Sequence, residues 1–431
     1  MQHTKKILSI ALPAMMENIL QMTMGFVDSY LIAQIGLIAV SGVSVANNII
    51  SIYQAIFIAF GSSAASLVAR SLGKKNREES QRLIRDTVML TGLLSLVLAL
   101  FSIVGGRRAL LALGTSLSVS QAGATYLSIV GGGSLFLGLM IVFSSVLRAD
   151  NRPKVSLYVT LFVNFLNVVF SVIAIYVFHL GIIGVASATV LARIIGSLVL
   201  WQQLGALKQE FQFKWHKNKS LLSLALPATA ERLMMRLGDV VIIAIIVQLG
   251  TKAVAGNAIG ETLTQFNYMP GAAVATATII LVADHLGQNN QKAINRIVKE
   301  SYLLSTAVML CLSVLVFLFG RHLSLMFTSD QVAISASLIV IFYSLIGSPA
   351  TSATLIMTAV WQGLGRSKIP FYATSIGMWV IRIGFAYLLS IVLKMGLSGV
   401  WLATVLDNLF RGLFLWIVYK NNFNKKQSAT Y

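Results

Sequence analysis

The sequence predicts an all-α integral membrane protein of twelve transmembrane helices, arranged as two six-helix bundles related by a pseudo-twofold axis along the membrane normal. Three observations lead there. The first is internal duplication: residues 8–76 align without a gap onto 222–290, with 21 identities in 69 positions. LSIALPAMMEN from Leu8 returns as LSLALPATAER from Leu222; Pro13 matches Pro227, Glu17 matches Glu231, Gly36 matches Gly250 and Gly42 matches Gly256. The second is composition: the chain is 57% hydrophobic and only 11% charged, with a mean hydropathy of +0.81, where a soluble domain carries about 25% charge. Residues 35–69, 155–192 and 331–365 contain no Asp, Glu, Lys or Arg, and each run exceeds the ~20 residues that cross a bilayer. The third is where the basic residues fall.

Twelve apolar spans follow, at about 7–33, 44–69, 87–105, 125–147, 155–178, 182–202, 221–248, 254–283, 301–319, 332–361, 369–392 and 397–419. Hydrocarbon offers no hydrogen-bond partner, so each must be a helix. With the N-terminus placed inside, the inner segments hold 23 Lys and Arg and the outer loops hold 5. That asymmetry is the positive-inside rule. It puts both termini in the cytoplasm, across the plasma (inner) membrane of a bacterium. The net charge of +19 is therefore read as a topology signal, with anionic membrane lipid as a secondary contact, and nucleic acid is not expected as a partner. Cys311 is the only cysteine, so no disulfide forms within the chain. The basic, then apolar, N-terminus runs on for a full span, unlike a cleaved signal peptide.

The repeat reaches the ends of both halves. Residues 152–154 match 366–368 at the same offset of 214, and GIIGVASATVL from Gly181 matches GLSGVWLATVL from Gly396 at 215, after one insertion. The expected organisation is an N-terminal bundle over 1–205, a cytoplasmic linker over 206–220 and a C-terminal bundle with a short cytoplasmic tail over 221–431. Six spans per half give both halves the same orientation, with a cavity expected between them. The linker, LKQEFQFKWHKNK, is basic and aromatic, which suits either the inner membrane surface or plain solvent. Pro13 and Pro227 interrupt the first and seventh spans at matching positions. Each removes a helix hydrogen bond, and Pro13 is the expected hinge.

Six acids lie within spans: Glu17, Asp28, Glu231, Asp239, Glu261 and Asp407. Charge inside a bilayer is costly and marks function by default. Asp28 is the sharpest case. It stands mid-helix in GFVDSYLIAQIG, far in sequence from any basic residue. A carboxyl without a cationic partner in a low-dielectric site is suited to take up and release a proton; it also suits a sodium ion or an organic cation. Asn167 and Ser171 lie one turn apart on one helix face, Asn164 precedes them by three, and Thr189 adds a hydroxyl. These can converge with Asp28 or serve as ordinary contacts between helices. In the second half, Arg232, Arg236 and Asp239 share a face and Asp407 and Arg411 are four apart, so mutual neutralisation is expected. Glu17 and Glu231 occupy one repeat position and are read as structural. Glu261 aligns with Asn47, so it belongs to no repeat feature.

No GxxxxGK[ST] loop, HExxH, GxSxG or Cys/His cluster is present. ATP-driven transport by this chain and metal-based catalysis are not expected, and no cofactor or metal is called for.

These residues resemble the MATE (multidrug and toxic compound extrusion) family of secondary transporters. The likeness covers nearly the whole chain and rests on IALPAMMENILQ and FVDSYLIAQIG, LVARSLGKKN, LALPATAERLM with LGTKAVAGNAIGET, YMPG and LGQNN. It is closest to the DinF-type branch, whose members take up the coupling ion on an acid of the first helix; Asp28 matches it, and Asn167 and Thr189 match polar partners of that site. Ser171 departs from members that carry a second acid there, which weighs against strong sodium binding. The coupling Glu of the NorM-type branch falls here on Met235. The resemblance implies an antiporter and no enzyme: amphipathic, mostly cationic drugs leave in exchange for protons, with sodium as the other candidate ion and a monomer expected to suffice. Met22, Met24, Phe26, Tyr53 and Asn164, with Asp28, are the expected substrate contacts, since Met and aromatic side chains re-pack around varied ligands. The charges Glu17, Glu231, Arg236, Asp239, Glu261 and Asp407 are assigned to structure or gating. A lipid-linked oligosaccharide flippase of the same superfamily stays open if Arg193, Arg232, Arg236 and Arg382 line a cavity.

Overall fold

A computed structural model describes residues 2–207 and 218–427. Residues 208–217, most of the expected linker, and the last four residues of the expected tail lie outside the described residues. The described chain forms twelve long helical segments and, among these residues, no strand. In the first half they are α1 (Gln2–Ala33), α2 (Leu37–Gly73), α3 (Arg77–Ala112), α4 (Leu117–Gly132 with Ser134–Ala149), α5 (Pro153–Tyr176) and α6 (Gly181–Gln203). In the second they are α7 (Lys219–Val247), α8 (Thr251–Gly287), α9 (Gln291–Leu325), α10 (Gln331–Gly363), α11 (Lys368–Val392) and α12 (Leu397–Gln427). Ten are long and apolar enough to cross a membrane, and the two pieces of α4, bent by 48°, make an eleventh. The twelfth, α7, is 29 residues long and is the span that carries Glu231, Arg232, Arg236 and Asp239. The fold is an all-α membrane protein.

The duplication is written into the backbone. The turns ahead of α2 and α8 open on Gly36 (φ 138°) and Gly250 (φ 99°), a region that glycine enters freely. Lys75 and Asn289 both turn left-handed after α2 and α8, as do His179 and Lys394 ahead of α6 and α12. Asn76 and Asn290 cap α3 and α9, accepting from the backbone N–H groups of Glu79 (3.0 Å) and Ala293 (3.1 Å), the usual means of satisfying a helix start. The one insertion between the halves also has a place. α11 has 25 residues against 24 in α5, and it contains π-helical turns at Gly377–Arg382 and Leu388–Val392 where α5 has none. A π-turn absorbs an extra residue without ending a helix, so α11 can hold the inserted residue behind the step in offset from 214 to 215.

Packing divides the chain into two compact units, Leu12–Ala225 and Met1–Ala11 with Leu226–Tyr431. The opening turns of α1 thus belong with the second half: Thr4 Oγ1 donates to Glu300 Oε2 at 2.8 Å, and His3 meets His285 edge-on with ring centres 5.7 Å apart. The opening turns of α7 belong with the first half, where Asn218 Nδ2 donates to Asp86 Oδ2 at 3.0 Å. Pro13 and Pro227 follow within two residues of these changes of membership.

The core of the Leu12–Ala225 unit joins Ile32, Val43, Tyr53, Phe57, Leu127 and Val185; that of the other joins Ile242, Ile246, Val340, Ala386 and Val400. Close approach depends on small residues. A Cβ on Gly42 would sit 2.6 Å from the Gly123 nitrogen and 2.8 Å from the Val119 oxygen of α4. Its repeat partner Gly256 faces Ala333 and Ala336 of α10 in the same way. Outside the spans, Asp330 caps α10 by accepting from Val332 and Ala333, and it pairs with Lys252 at 3.0 Å. The Lys252 ammonium and the two N–H groups hold its carboxyl below the usual range.

Because backbone rather than a flexible side chain blocks the space, Gly42→Ala is expected to destabilise the protein by about 1–3 kcal/mol, as over-packing does. Gly92→Ala meets nothing within 4 Å and should be neutral. Thermal melting of the two purified variants in detergent checks the contrast.

Candidate functional site

The polar groups of the first half fall into three sets. Asp28 lies four residues before the buried Ile32 of α1 and is itself partly buried. Two ionisable groups from other helices act on it electrostatically or share its neighbourhood: Arg193 of α6, and Tyr126 of α4, which is 4% exposed. Asp28 Oδ1 and Arg193 Nη1 are both sealed from solvent, and neither has a hydrogen-bond partner among the described residues. A buried polar atom without a partner is costly and calls for an explanation.

The second set is Asn167, Ser171 and Thr189, all buried. Asn167 Nδ2 donates to Thr189 Oγ1 at 3.3 Å, Ser171 Oγ donates to Asn167 Oδ1 at 3.1 Å, and Thr189 Oγ1 donates to the Val185 carbonyl at 3.0 Å. The three expected partners of Asp28 therefore come together, but their bonds run to one another and to the backbone. Asn164 is partly buried with Nδ2 unpartnered. Among the expected substrate contacts, Met24 stands one helical turn before Asp28 and is partly buried, as is Met22; Phe26, two residues away and so on another side of α1, is 60% exposed. Tyr53 takes no part in this arrangement. It is packed into the core with its hydroxyl 2.8 Å from Ser102 Oγ.

The third set is structural. Glu17 is buried and accepts from Arg148 Nη1 at 2.8 Å. Glu231 is equally buried, and its partners are neutral: Thr374 Oγ1 at 3.3 Å and Gln362 Nε2 at 3.4 Å. Arg148 and Gln362 are themselves repeat partners, 214 apart. The same joint thus recurs in both halves, ionic in one and amide in the other.

The second half repeats the Asn–Thr contact in another form. Arg382 Nε donates to Thr404 Oγ1 at 3.2 Å, and Thr404 donates to the Val400 carbonyl as Thr189 does to Val185. Arg382 also pairs with Asp239 at 3.2 Å. Asp407 and Arg411 are both buried and bond at 2.7 Å. Glu261 is exposed, and Asn257, one turn before it, accepts from Trp401 Nε1 at 2.9 Å. Arg236 is exposed. The expected neutralisation along α7 is met across helices, by Arg382 of α11, rather than between α7 neighbours.

Two features escaped the sequence. One is that Arg193 and Tyr126 share the neighbourhood of Asp28: the distance in sequence hid the pairing, and an arginine inside a span was the available signal. The other is a cavity of about 730 Å³ within the Leu12–Ala225 unit, lined by Met89, Leu93, Leu139, Phe143, Leu198 and Trp201 of α3, α4 and α6. Its wall is almost wholly apolar. Among the described residues no group of three His, Cys, Asp or Glu is placed to hold a metal ion.

A model of the MatE family matches the chain twice, over residues 13–173 and 227–388. The chain belongs to the MatE family. The two matches begin at Pro13 and Pro227 and end at the 215 offset, so the family unit coincides with the repeat. The MatE chain is 26% identical over 423 residues to the probable multidrug resistance protein NorM of Thermotoga maritima, covering 94% of this chain and 90% of that one. It is 25% identical to the uncharacterized transporter YisQ of Bacillus subtilis, covering 96% and 93%, and 20% identical to the multidrug export protein MepA of Staphylococcus aureus, covering 96% and 93%. Among solved structures, it resembles a MATE protein in the bent conformation (TM-score 0.91, 20% identity, 99% of this chain and 97% of that one) and one in the straight conformation (0.90, 19%, 98% and 97%). At that identity the likeness establishes the fold.

The duplicated joint of the MatE chain yields a graded expectation. Arg148→Ala strands the buried Glu17 and should destabilise by about 3–5 kcal/mol, as breaking a buried pair does. Arg148→Gln rebuilds the Glu–Gln contact of the second half and should lose markedly less. Melting temperatures in detergent distinguish the two.

Proposed function

We propose that this protein is a multidrug efflux antiporter, exporting amphipathic, mostly cationic compounds in exchange for protons. The observation that carries the reading is Asp28: a carboxyl oxygen in a membrane-spanning helix, sealed from solvent and without a hydrogen-bond partner among the described residues. Such an oxygen is satisfied by a proton or a cation arriving from outside the chain. The names borne by its relatives, a multidrug export protein among them, support the substrate class, and the motif around Asp28 supports a place in the DinF-type branch. The protein works across a bacterial plasma membrane with both termini in the cytoplasm and needs no partner subunit.

Proton rather than sodium is favoured by the ligand set. A single carboxylate suits a proton better than a sodium ion, and Ser171 stands where a second acid would be; Asn167, Ser171 and Thr189 hydrogen-bond to one another and to backbone rather than to Asp28. Asp28 is then the one carboxylate of the site. In the cycle, substrate occupies the inward-open site while Asp28 is ionised. A proton from outside neutralises Asp28, the substrate leaves, and α1 bends at Pro13 as the site resets. The flippase reading calls for Arg193, Arg232, Arg236 and Arg382 to line a cavity; Arg382 is paired with Asp239, and the described cavity is lined by none of the four.

Asp28→Asn imitates the protonated form and keeps the shape. Reconstituted in liposomes under an imposed pH gradient, it should fold and melt normally yet lose ethidium transport by at least tenfold. Wild-type rates from Asp28→Asn would refute the reading, and wild-type transport driven only by a sodium gradient would replace the ion.

A further inference from the structure

The apolar cavity of the Leu12–Ala225 unit takes no part in the cycle above. Its volume of about 730 Å³ lies in the range of small-ligand sites, about 300–1,000 Å³. A missing side chain helps to make it. Gly92 of α3 is part of its wall, and a Cβ there would meet nothing within 4 Å. The second half bridges the matching place. Thr306 stands at the repeat position of Gly92 and donates to Ser352 Oγ of α10 at 3.0 Å. The repeat position of Ser352 is Gly138 of α4. Glycine on both helices removes that bridge from the first half, so the duplicated fold does not itself demand the gap.

Position decides what fills it. Leu93 and Leu198 of its wall are 46% and 56% exposed. On helices that span a membrane, such exposure is to acyl chains and not to water. Trp201 of the wall stands two residues before the end of α6, and Phe143 six before the end of α4, with ring centres 5.5 Å apart. Tryptophan near a helix end favours the level of the lipid headgroups. Those helix ends meet the basic segments of the chain. Residues 70–86 hold six Lys or Arg against three acids, and residues 148–154 hold three against one. Arg152 Nη1 donates to the Gln203 carbonyl at the end of α6 at 2.6 Å. Arg85 lies three and four residues before Val88 and Met89 of the wall, and so on their face of α3. Its Nε is sealed from solvent without a hydrogen-bond partner among the described residues. Asp86 is 3.6 Å from Arg85 Nη2 and also accepts from Asn218.

We propose that the cavity binds one acyl chain of an anionic phospholipid, drawn from the leaflet that meets the basic segments, with Arg85 toward the phosphate. The chain supplies the contacts that Gly92 leaves unmade, since an unfilled gap forfeits dispersion attraction. The phosphate offers the guanidinium oxygen acceptors that carry charge. Such a lipid is a fixed part of the first unit and exchanges more slowly than the lipids around it. The inference stands apart from the role of Asp28.

The test places purified protein in vesicles of phosphatidylcholine with a rising fraction of phosphatidylglycerol brominated midway along its chains, which quenches tryptophan on contact. The difference between wild type and Trp201→Phe isolates Trp201. Its quenching should saturate at a mole fraction several-fold lower than with brominated phosphatidylcholine. Gly92→Leu fills the gap and should abolish this low-fraction step. Arg85→Gln should weaken the preference for phosphatidylglycerol about fivefold, the share of one cation at a membrane surface. Quenching that follows mole fraction equally for both lipids would mean ordinary surrounding lipid and would overturn the inference. So would an unchanged low-fraction step in folded Gly92→Leu, or an unchanged preference in Arg85→Gln. Relief of the quenching by tetraphenylphosphonium would make the cavity a substrate site, which also overturns it. The wild-type titration and Arg85→Gln decide the matter even if Gly92→Leu fails to fold.

Discussion

A polar atom on a helix in lipid has no water to fall back on, so the chain must satisfy it or leave it waiting for something that arrives. Nearly every feature of this molecule follows from that constraint. The backbone answers it by being helical throughout the spans. Serine and threonine hydroxyls answer it locally by donating to the carbonyl one turn back, as Ser145 does to Ile141 and Thr278 to Val274. The costly side chains answer it in pairs: Glu17 with Arg148, Asp239 with Arg382, Asp407 with Arg411. Glu17, Asp86 and Asp407 each leave one carboxyl oxygen without a partner but bond through the other; among the described residues Asp28 has neither a hydrogen bond nor an ion pair, and that is what a transported ion can resolve.

Duplication supplied the frame and then let the halves diverge. Caps, left-handed turns and glycine contacts recur at a fixed offset, because both copies must solve the same packing problem. The chemistry does not recur. Asn167 and Thr189 form a neutral contact in one half, while the matching contact in the other is made by Arg382 and Thr404. Arg148 becomes Gln362, and Asp28 becomes Ile242. Divergence of this kind leaves one copy free to specialise in ion exchange while the other carries its own network of paired charges.

Much of the fold was legible in the sequence because membrane helices are long, apolar and bounded by basic loops, and because the repeat tests every assignment twice. Ten of the expected spans fall inside observed helices, and those at 155–178 and 221–248 overrun α5 and α7 by two residues and one; several helices run past the expected span, as α2 and α8 do to Gly73 and Gly287, where sequence hydropathy had already faded. The step in repeat offset was visible as an insertion, but the π-turns of α11 at Gly377–Arg382 and Leu388–Val392 were not, since no residue type specifies such a turn. The acid of the site was legible as a charge out of place. Its neighbours were not, because Arg193 lies far along the chain and Asn167, Ser171 and Thr189 have each other as well as Asp28 to bond with. Tyr53 shows the same limit: an aromatic residue in a span reads alike whether it meets a ligand or, as here, the core.

The central claim is that Asp28 gives up a proton when an organic cation binds. It is tested most directly with purified protein in weakly buffered, mildly acidic detergent solution, adding tetraphenylphosphonium and following a pH indicator. Wild type should release up to about one proton for each cation bound, and Asp28→Asn should release none. Cation binding by wild type without proton release, or equal release from Asp28→Asn, would contradict the account.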